Sequence, residues 1–94
     1  MARIILKGDE EIIAAGIGNS TNAGNAKLAR VYNPSSSADA IVYVVDPTEA
    51  NEYSGIGSVT IGPRVTEFFE KQPSYNIYGN ATIHVAPVGY GANY

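Results

Sequence analysis

Turn-forming residues divide this chain into short apolar runs, and that division limits the folds open to it more than any other feature. Clusters of Gly, Pro, Asn and Ser recur at intervals of roughly 8–12 residues. The runs between them are rich in β-branched and aromatic residues and alternate apolar with polar positions, as half-buried strands do. About six to eight short strands in this arrangement predict an all-β fold, either a small antiparallel β-sandwich or a partly closed barrel.

The first half of the chain contains four runs with strand character. "ARIILKG" places Ile4 and Leu6 on one face, and "EIIAAG" is expected to return beside it as a second short strand. "KLARVYN" and "AIVYVVD" lie on either side of the turn-forming "NPSSSAD". This arrangement predicts a hairpin with a wide loop.

The second half of the chain continues the strand pattern. "GSVTIGP" directs Val59 and Ile61 inward, while the serine and threonine between them point outward. "SYNIYG" predicts a short strand or a bend. "ATIHVAPV" predicts the final strand, with Ile83 and Val85 inward.

The segment from residue 64 to residue 72 admits two interpretations, a short helix or a strand. Its apolar residues stand at the helical spacing i, i+3 and i+4, namely Val65, Phe68 and Phe69. However, Pro63 and Pro73 bracket the segment closely, its neighbours are strands, and a lone short helix is marginal without packing. The strand is therefore preferred.

The length of the chain predicts one domain. With 94 residues it is too short to divide into two self-sufficient cores, so a single β-domain is expected to span residues 1–94. Gly, Asn, Ser and Thr crowd residues 16–25, which predicts a flexible loop. Residues 88–94 follow the last predicted strand and are rich in glycine, which predicts a C-terminal tail.

The composition argues against several classes of partner. The net charge is −3 at pH 7 and the basic residues are scattered, whereas nucleic-acid binding needs clustered Lys and Arg. The chain has no cysteine, so disulfides and thiolate metal sites are excluded. No apolar run approaches the roughly 20 residues of a membrane helix, and the start lacks a signal-peptide pattern. We therefore expect a soluble protein without nucleic-acid or membrane partners.

No catalytic constellation is recognisable in the sequence. His84 is the sole histidine, and strand alternation directs it away from the core, so a surface or interface position is expected. The acidic residues gather at 9–11 and 46–52, and neither cluster has the spacing of a calcium loop, which favours solvated loop charges. "GIGNSTNAG" begins Gly-x-Gly, but Thr21 stands where a dinucleotide-binding loop needs its third glycine. These patterns predict a protein that is not an enzyme and has no catalytic residue, cofactor or metal.

The seven tyrosines are the strongest sign of an adhesive surface. Tyrosine combines a large apolar ring with a hydroxyl group, which makes it common where proteins touch. Tyr43 and Tyr32 are expected in the sandwich core. The residues expected to contact another macromolecule are Ile5 of the first strand and four of the remaining tyrosines, namely Tyr75, Tyr78, Tyr90 and Tyr94.

Three stretches together carry a resemblance to a known class of proteins. They are "MARIILKGDEEIIAAGIG", "KLARVYNPSSSADAIVYVVD" and "GSVTIGPRVTEFFEKQPSYNIYGNATIHVAPVGY". The chain resembles small β-sandwich virion structural proteins of tailed bacteriophages, of the capsid decoration or cement type known from marine and cyanobacterial phages. The resemblance covers nearly the whole length as a pattern of short strands and loops. It carries over no site residue.

The resemblance implies a structural role in a virus particle. A decoration protein binds across capsomer junctions and stabilises the head, with the major capsid protein or another virion protein as its partner. Further copies of the chain, in a dimer or a trimer, are also expected partners. The resemblance implies assembly in the host cytoplasm and a final location on the capsid surface.

Two other functions compete with this interpretation. A carbohydrate- or receptor-binding module of a phage tail or another assembly would stack Tyr53, Tyr75 and Tyr78 on sugars beside the acidic residues at 46–52. An enzyme or an enzyme accessory domain is disfavoured, because no nucleophile, base and orienting group can be assembled from recognisable spacing.

Overall fold

The computed structural model describes residues 4–47 and 54–90, and these form an all-β fold of two antiparallel sheets. A single 3-10 turn at Ile17–Asn19 is the only helical element among the described residues. The strands are β1 (Ile4–Leu6), β2 (Glu11–Ile13), β3 (Leu28–Tyr32), β4 (Ala40–Asp46), β5 (Ser54–Ile61), β6 (Thr66–Glu70), β7 (Asn76–Gly79) and β8 (Ile83–Tyr90).

The larger sheet has five strands and is organised around β8. β3 pairs with one edge of β8, and β1 and β2 lie one after the other along its opposite edge. β6 pairs with the far side of β3 and ends the sheet. The smaller sheet has the order β5-β4-β7, with a bulge between β4 and β5 at Val44/Val45.

The core lies between the two sheets and consists mainly of alternate β-branched residues and alanines. Every second side chain of each strand points inward, because successive side chains of a strand project to opposite faces of the sheet. The fully or almost fully buried members are Ala29, Val31, Ile83 and Val85 from the larger sheet and Ala40, Val42, Ile61 and Ile77 from the smaller one. The inward positions predicted for Ile61, Ile83 and Val85 are therefore confirmed.

The strand interpretation of residues 64–72 is also confirmed. β6 pairs with β3 over five consecutive residues, from Thr66 opposite Tyr32 to Glu70 opposite Leu28. Phe69 packs against the core, while Phe68 lies on the other face and is 45% exposed. The helical spacing of the apolar residues does not decide the outcome because the backbone groups of this segment are satisfied by β3 instead.

The predicted hairpin between "KLARVYN" and "AIVYVVD" is wrong in its pairing, although both strands form. β3 pairs with β8 and β6 in the larger sheet, whereas β4 pairs with β5 and β7 in the smaller one. Both strands direct apolar residues to one side, Ala29 and Val31 on β3 and Ala40 and Val42 on β4. Placing the two strands in opposite sheets brings these residues face to face in the core.

Asn33, directly after β3, holds this crossover in place. Its side chain is fully buried, and its Nδ2 donates to the carbonyl oxygens of Ala38, Ile61 and Gly62 at 2.9, 3.1 and 3.1 Å. Its Oδ1 accepts a hydrogen bond from the backbone N–H of Ser35 at 3.0 Å. One amide therefore ties the end of β3 to the following loop and to the end of β5.

The pairing expected near the start of the chain is also wrong. β2 does not return beside β1, because both strands pair with β8, with Ile5 opposite Gly89 and Ile12 opposite His84. The burial of β1 is the reverse of the expectation: Ile4 and Leu6 are 43% and 75% exposed, and Ile5 is half-buried. Together, β1 and β2 pair with the backbone groups along one edge of β8, which a local β1–β2 hairpin would leave unpaired.

The predicted loop and tail have more regular structure than expected. The backbone of residues 16–21 runs along β7, with the N–H of Gly16 donating to the carbonyl of Gly79 and Thr21 exchanging two hydrogen bonds with Ile77. The flexibility of residues 16–25 stays a prediction. The tail predicted at 88–94 begins too early, since β8 runs through Tyr90 and β1 pairs with its last three residues. Residues 91–94 lie outside the described residues.

Candidate interaction surface

The outer face of the five-stranded sheet, the side turned away from the three-stranded sheet, brings together side chains from all five strands and one loop. Directly paired residues of antiparallel strands project to the same face, so the register defines its rows. Ile12, His84, Tyr32 and Thr66 form one row across β2, β8, β3 and β6. In the next row, Ala86 and Phe68 flank Arg30, and Glu10 reaches in from the loop between β1 and β2.

A polar network occupies the middle of this face. Nδ1 of His84 lies 2.7 Å from Oε1 of Glu10, and Nη1 of Arg30 lies 3.6 Å from Oε2 of the same carboxylate. The guanidinium of Arg30 lies 5.8 Å from the ring centroid of Tyr32, and the rings of Tyr32 and His84 meet edge to face at 5.7 Å. Glu10 thereby anchors its loop to both β3 and β8.

Exposed apolar side chains surround this network. Ile12 is 67% exposed on the β2 side, Phe68 is 45% exposed on the β6 side, and Leu6 is 75% exposed where β1 pairs with Val88. These are large hydrophobic residues on a face that the three-stranded sheet does not cover. The outer face therefore places exposed apolar side chains around a central polar network.

The outward side of the three-stranded sheet carries a second aromatic feature. Tyr43 and Tyr78 lie opposite each other on β4 and β7, and their rings stack with centroids 4.8 Å apart and an interplanar angle of 17°. Tyr43 was expected in the core, as was Tyr32, but both are half-buried on outward faces. Each tyrosine stands next to a buried valine on its strand, Val31 or Val42, so strand alternation directs its ring outward.

A wide groove of about 1070 Å³ lies at one end of the sandwich. Lysines 7, 27 and 71 line it together with the acidic residues Asp9, Glu11 and Glu70. Nζ of Lys71 donates to the carbonyl oxygens of Asn22 and Ala26 at 2.9 and 2.7 Å, and the carbonyls of Gln72 and Pro73 lie 3.4 and 3.3 Å away. Burial lowers the pKa of Lys71 from 10.5 to about 8. This lysine closes the groove wall by joining two loops.

Two features were looked for in the described ranges 4–47 and 54–90, a cluster of potential metal ligands and a helix of membrane-spanning length. The ranges contain no group of three or more His, Asp or Glu side chains that could hold a metal ion. No helix within these ranges is long and apolar enough to cross a membrane.

The residues predicted to make contacts that the structure describes belong to different strands and loops. Ile5 is half-buried on β1, and Tyr90 ends β8 opposite Ile4. Tyr75 lies in the turn before β7, and Tyr78 lies on β7 in the stack described above, so both belong to the side of the smaller sheet. Tyr94 and Tyr53 lie outside the described residues. A contact role for each of the five residues stays a prediction.

No sequence pattern predicts the network of Glu10, Arg30 and His84. Alternation does place Arg30 and Tyr32 on the face opposite Val31, and it places His84 opposite Ile83 and Val85. What no pattern indicates is that β3 pairs with β8, which brings the two polar sets together. Glu10 is an exposed loop residue, as expected, and it is also the residue that joins them.

Comparison of the chain with protein-family models, with curated proteins and with solved structures finds no match.

Proposed function

We propose that this chain is a structural protein of a virus particle that binds through its surface to an assembled capsid lattice and carries out no reaction. The major capsid protein, or another virion protein, is the partner. The resemblance of the strand-and-loop pattern to decoration proteins of tailed phages suggests the partner, and the two-sheet fold is compatible with it. The proposed location is the capsid surface.

The observation that carries the proposal is the exposure of Leu6, Ile12 and Phe68 on the outer face. Large hydrophobic side chains exposed on one face of a sheet support a contact of this face with another macromolecule. Arg30 and Glu10 lie between them and supply charged groups that can set the orientation of the partner.

Capsid stabilisation requires preferential binding to the assembled state. A protein that binds the lattice more tightly than separate subunits shifts the equilibrium toward the lattice by its difference in affinity. Each contact can be weak, because copies bound around a symmetry axis act at high effective concentration. A sheet face is suited to such a role because it is rigid and loses little entropy on binding.

The proposal is tested by co-sedimentation of the purified chain with capsid particles from its own source and with unassembled capsid subunits. Binding to particles and much weaker binding to subunits is expected. In the double variant Leu6→Lys/Ile12→Lys, binding to particles should fall by about tenfold or more, because two charges are placed where apolar contact is needed.

The matched control is the double variant Ile17→Lys/Val65→Lys. These residues are also exposed hydrophobics, at 40% and 39%, but they lie in the 3-10 turn and in the β5–β6 connection. The control should bind like the unmodified chain. Absence of binding to particles, or an equal loss in both double variants, would overturn the proposal.

A further inference from the structure

Among the described residues, the edge of the smaller sheet formed by β5 differs from the other edges because it is long and lacks charged residues and prolines, although a bulge interrupts its pairing with β4 near Val44/Val45. β5 is eight residues long, and among the described residues it pairs with β4 alone. Its sequence, "SGIGSVTI", contains no charged residue and no proline. An edge strand of this kind presents unpaired N–H and C=O groups on which another strand can add.

Each of the other sheet edges is protected. Residues 16–21 cover β7 through the hydrogen bonds from Gly16 and Thr21. β6 carries Glu67 and Glu70 and lies between two prolines. β1 and β2 are three residues each and are separated by residues 7–10. Short strands, charges and prolines are the usual means of blocking strand addition, and β5 has none of them.

A groove of about 580 Å³ and mixed polarity opens beside β5, and Glu70, Lys71 and Gln72 form part of its lining. Its apolar lining comes from Val42 and Val44 of β4, from Phe69 of the opposite sheet, and from Ile56 and Val59 of β5 itself. Val59 pairs with Val42, which is buried in the core, so its side chain is on the core side of the sheet, and yet it is 40% exposed. The sandwich is therefore open along this side, as it would be if one strand of the smaller sheet were missing.

The electrostatics of this edge favour a second copy of the same chain as the occupant. Two identical strands pair antiparallel about a two-fold axis, so charged residues on the edge would meet their own copies and repel. The neutral β5 avoids this repulsion, and its outward residues Ser58 and Thr60 can hydrogen-bond across the seam. The same pairing through β6 would bring glutamates together.

We propose that the chain forms a homodimer by antiparallel pairing of β5 with β5 of a second copy. The two three-stranded sheets then become one continuous six-stranded sheet. The core-side residues of the second β5 lie over the groove beside Val59 and cover its apolar lining. This dimer is independent of the outer face used in the proposed capsid contact.

The experiment is a measurement of molar mass by light scattering during gel filtration, over a dilution series that reaches millimolar concentration. The unmodified chain should show twice the mass of 9.9 kDa at high concentration and dissociate on dilution. In the variant Ser58→Lys/Thr60→Lys the mass should be that of one chain throughout, because four lysines would meet at the seam. The control Ser36→Lys/Ser37→Lys makes the same change of net charge on an exposed loop and should dimerise normally.

Amide hydrogen exchange provides a second measurement that does not depend on a variant. The amides of residues 56–60 should be more protected at high concentration than at low concentration, and the amides of β6 should not change. A chain that has the mass of one copy at every concentration, or an oligomer that persists in the β5 lysine variant, would overturn the proposal. Protection of β5 that is the same at all concentrations would also overturn it.

Discussion

Nδ1 of His84 lies 2.7 Å from Oε1 of Glu10, although the two residues stand near opposite ends of the chain. The contact joins the loop between β1 and β2 to the middle of β8, on the outer face of the larger sheet. It also brings Glu10 to Arg30 on the neighbouring strand. The only histidine of the chain is therefore part of an interstrand network at the centre of the candidate interaction surface.

A double-mutant cycle on Glu10→Ala and His84→Ala measures this contact. We expect a coupling energy of about 0.5–1 kcal/mol in urea unfolding, because both side chains are partly solvated and solvent screens their attraction. The cycle of His84→Ala with Glu67→Ala, an exposed carboxylate on β6, is the control and should show no coupling. Equal coupling in the two cycles would contradict the assigned contact.

Asn33 is expected to be the most sensitive polar residue of the fold. The variant Asn33→Ala leaves the carbonyls of Ala38, Ile61 and Gly62 without their amide donor, and we expect it to lower the free energy of unfolding by about 2–3 kcal/mol. Asn33→Asp should cost at least as much, because it points a carboxylate at carbonyl oxygens. Asn19→Ala, at an exposed asparagine, should cost less than about 1 kcal/mol. Similar losses for Asn33→Ala and Asn19→Ala would refute this account.

Two strand glycines predict opposite outcomes for the same substitution. A Cβ on Gly79 would lie 3.0 Å from the carbonyl oxygen of Ala81 and 3.3 Å from Cγ2 of Ile83, whereas a Cβ on Gly57 meets nothing within 4 Å. We expect Gly79→Ala to destabilise the fold by about 1–3 kcal/mol. Gly57→Ala should be neutral or slightly stabilising, because alanine restricts the unfolded chain. The measurement is thermal unfolding of both variants at low protein concentration. An equal change in stability in the two variants would be inconsistent with the tight packing at β7.

The lowered pKa of Lys71 predicts that the free energy of unfolding changes with pH in the alkaline range. Its pKa is lowered by burial to about 8 in the folded chain from 10.5 in the unfolded chain, so between these values the unfolded chain holds the proton and the folded chain has released it. Stability attributable to Lys71 therefore rises as the pH increases from about 8 to 10.5. Because the amine is partly exposed, the gain should stay below about 1 kcal/mol.

The measurement for Lys71 is the difference in unfolding free energy between the unmodified chain and Lys71→Met, taken across this pH range. Subtraction removes the contribution of tyrosines and other lysines, which titrate in the same window. The control is Gln72→Met, at an exposed residue without a titratable group, and its difference from the unmodified chain should not change with pH. A Lys71 difference that is flat with pH, or that falls, would contradict the predicted direction.

Local patterns in the sequence predict the strands but not their partners. The alternation around Ile83 and Val85 and around Ile61 is enough to place these residues in the core, because burial of one face follows from a period of two. The pairing of β3 with β8, and of β4 with β7, depends on which apolar faces meet across the core. That is a tertiary effect, and the turn-forming residues between β3 and β4 wrongly favour a local hairpin.

The same limit applies to the candidate surface. Alternation predicts that His84 faces away from the core, and the structure confirms it. The partnership with Glu10 and Arg30 could not be predicted, because it requires both the β3–β8 pairing and the unexpected course of the chain between β1 and β2. The exposure of Leu6 also could not be predicted, because an apolar residue in an alternating strand is normally expected to be buried.

The proposal that this chain is a structural protein on the surface of a virus particle is tested most directly by quantitative mass spectrometry of purified particles from its source. The expected result is that its peptides are present in a fixed, high ratio to those of the most abundant shell protein, and that this ratio survives washing. Recovery of the chain only from the soluble fraction of the lysate, with none in the particles, would contradict the claim.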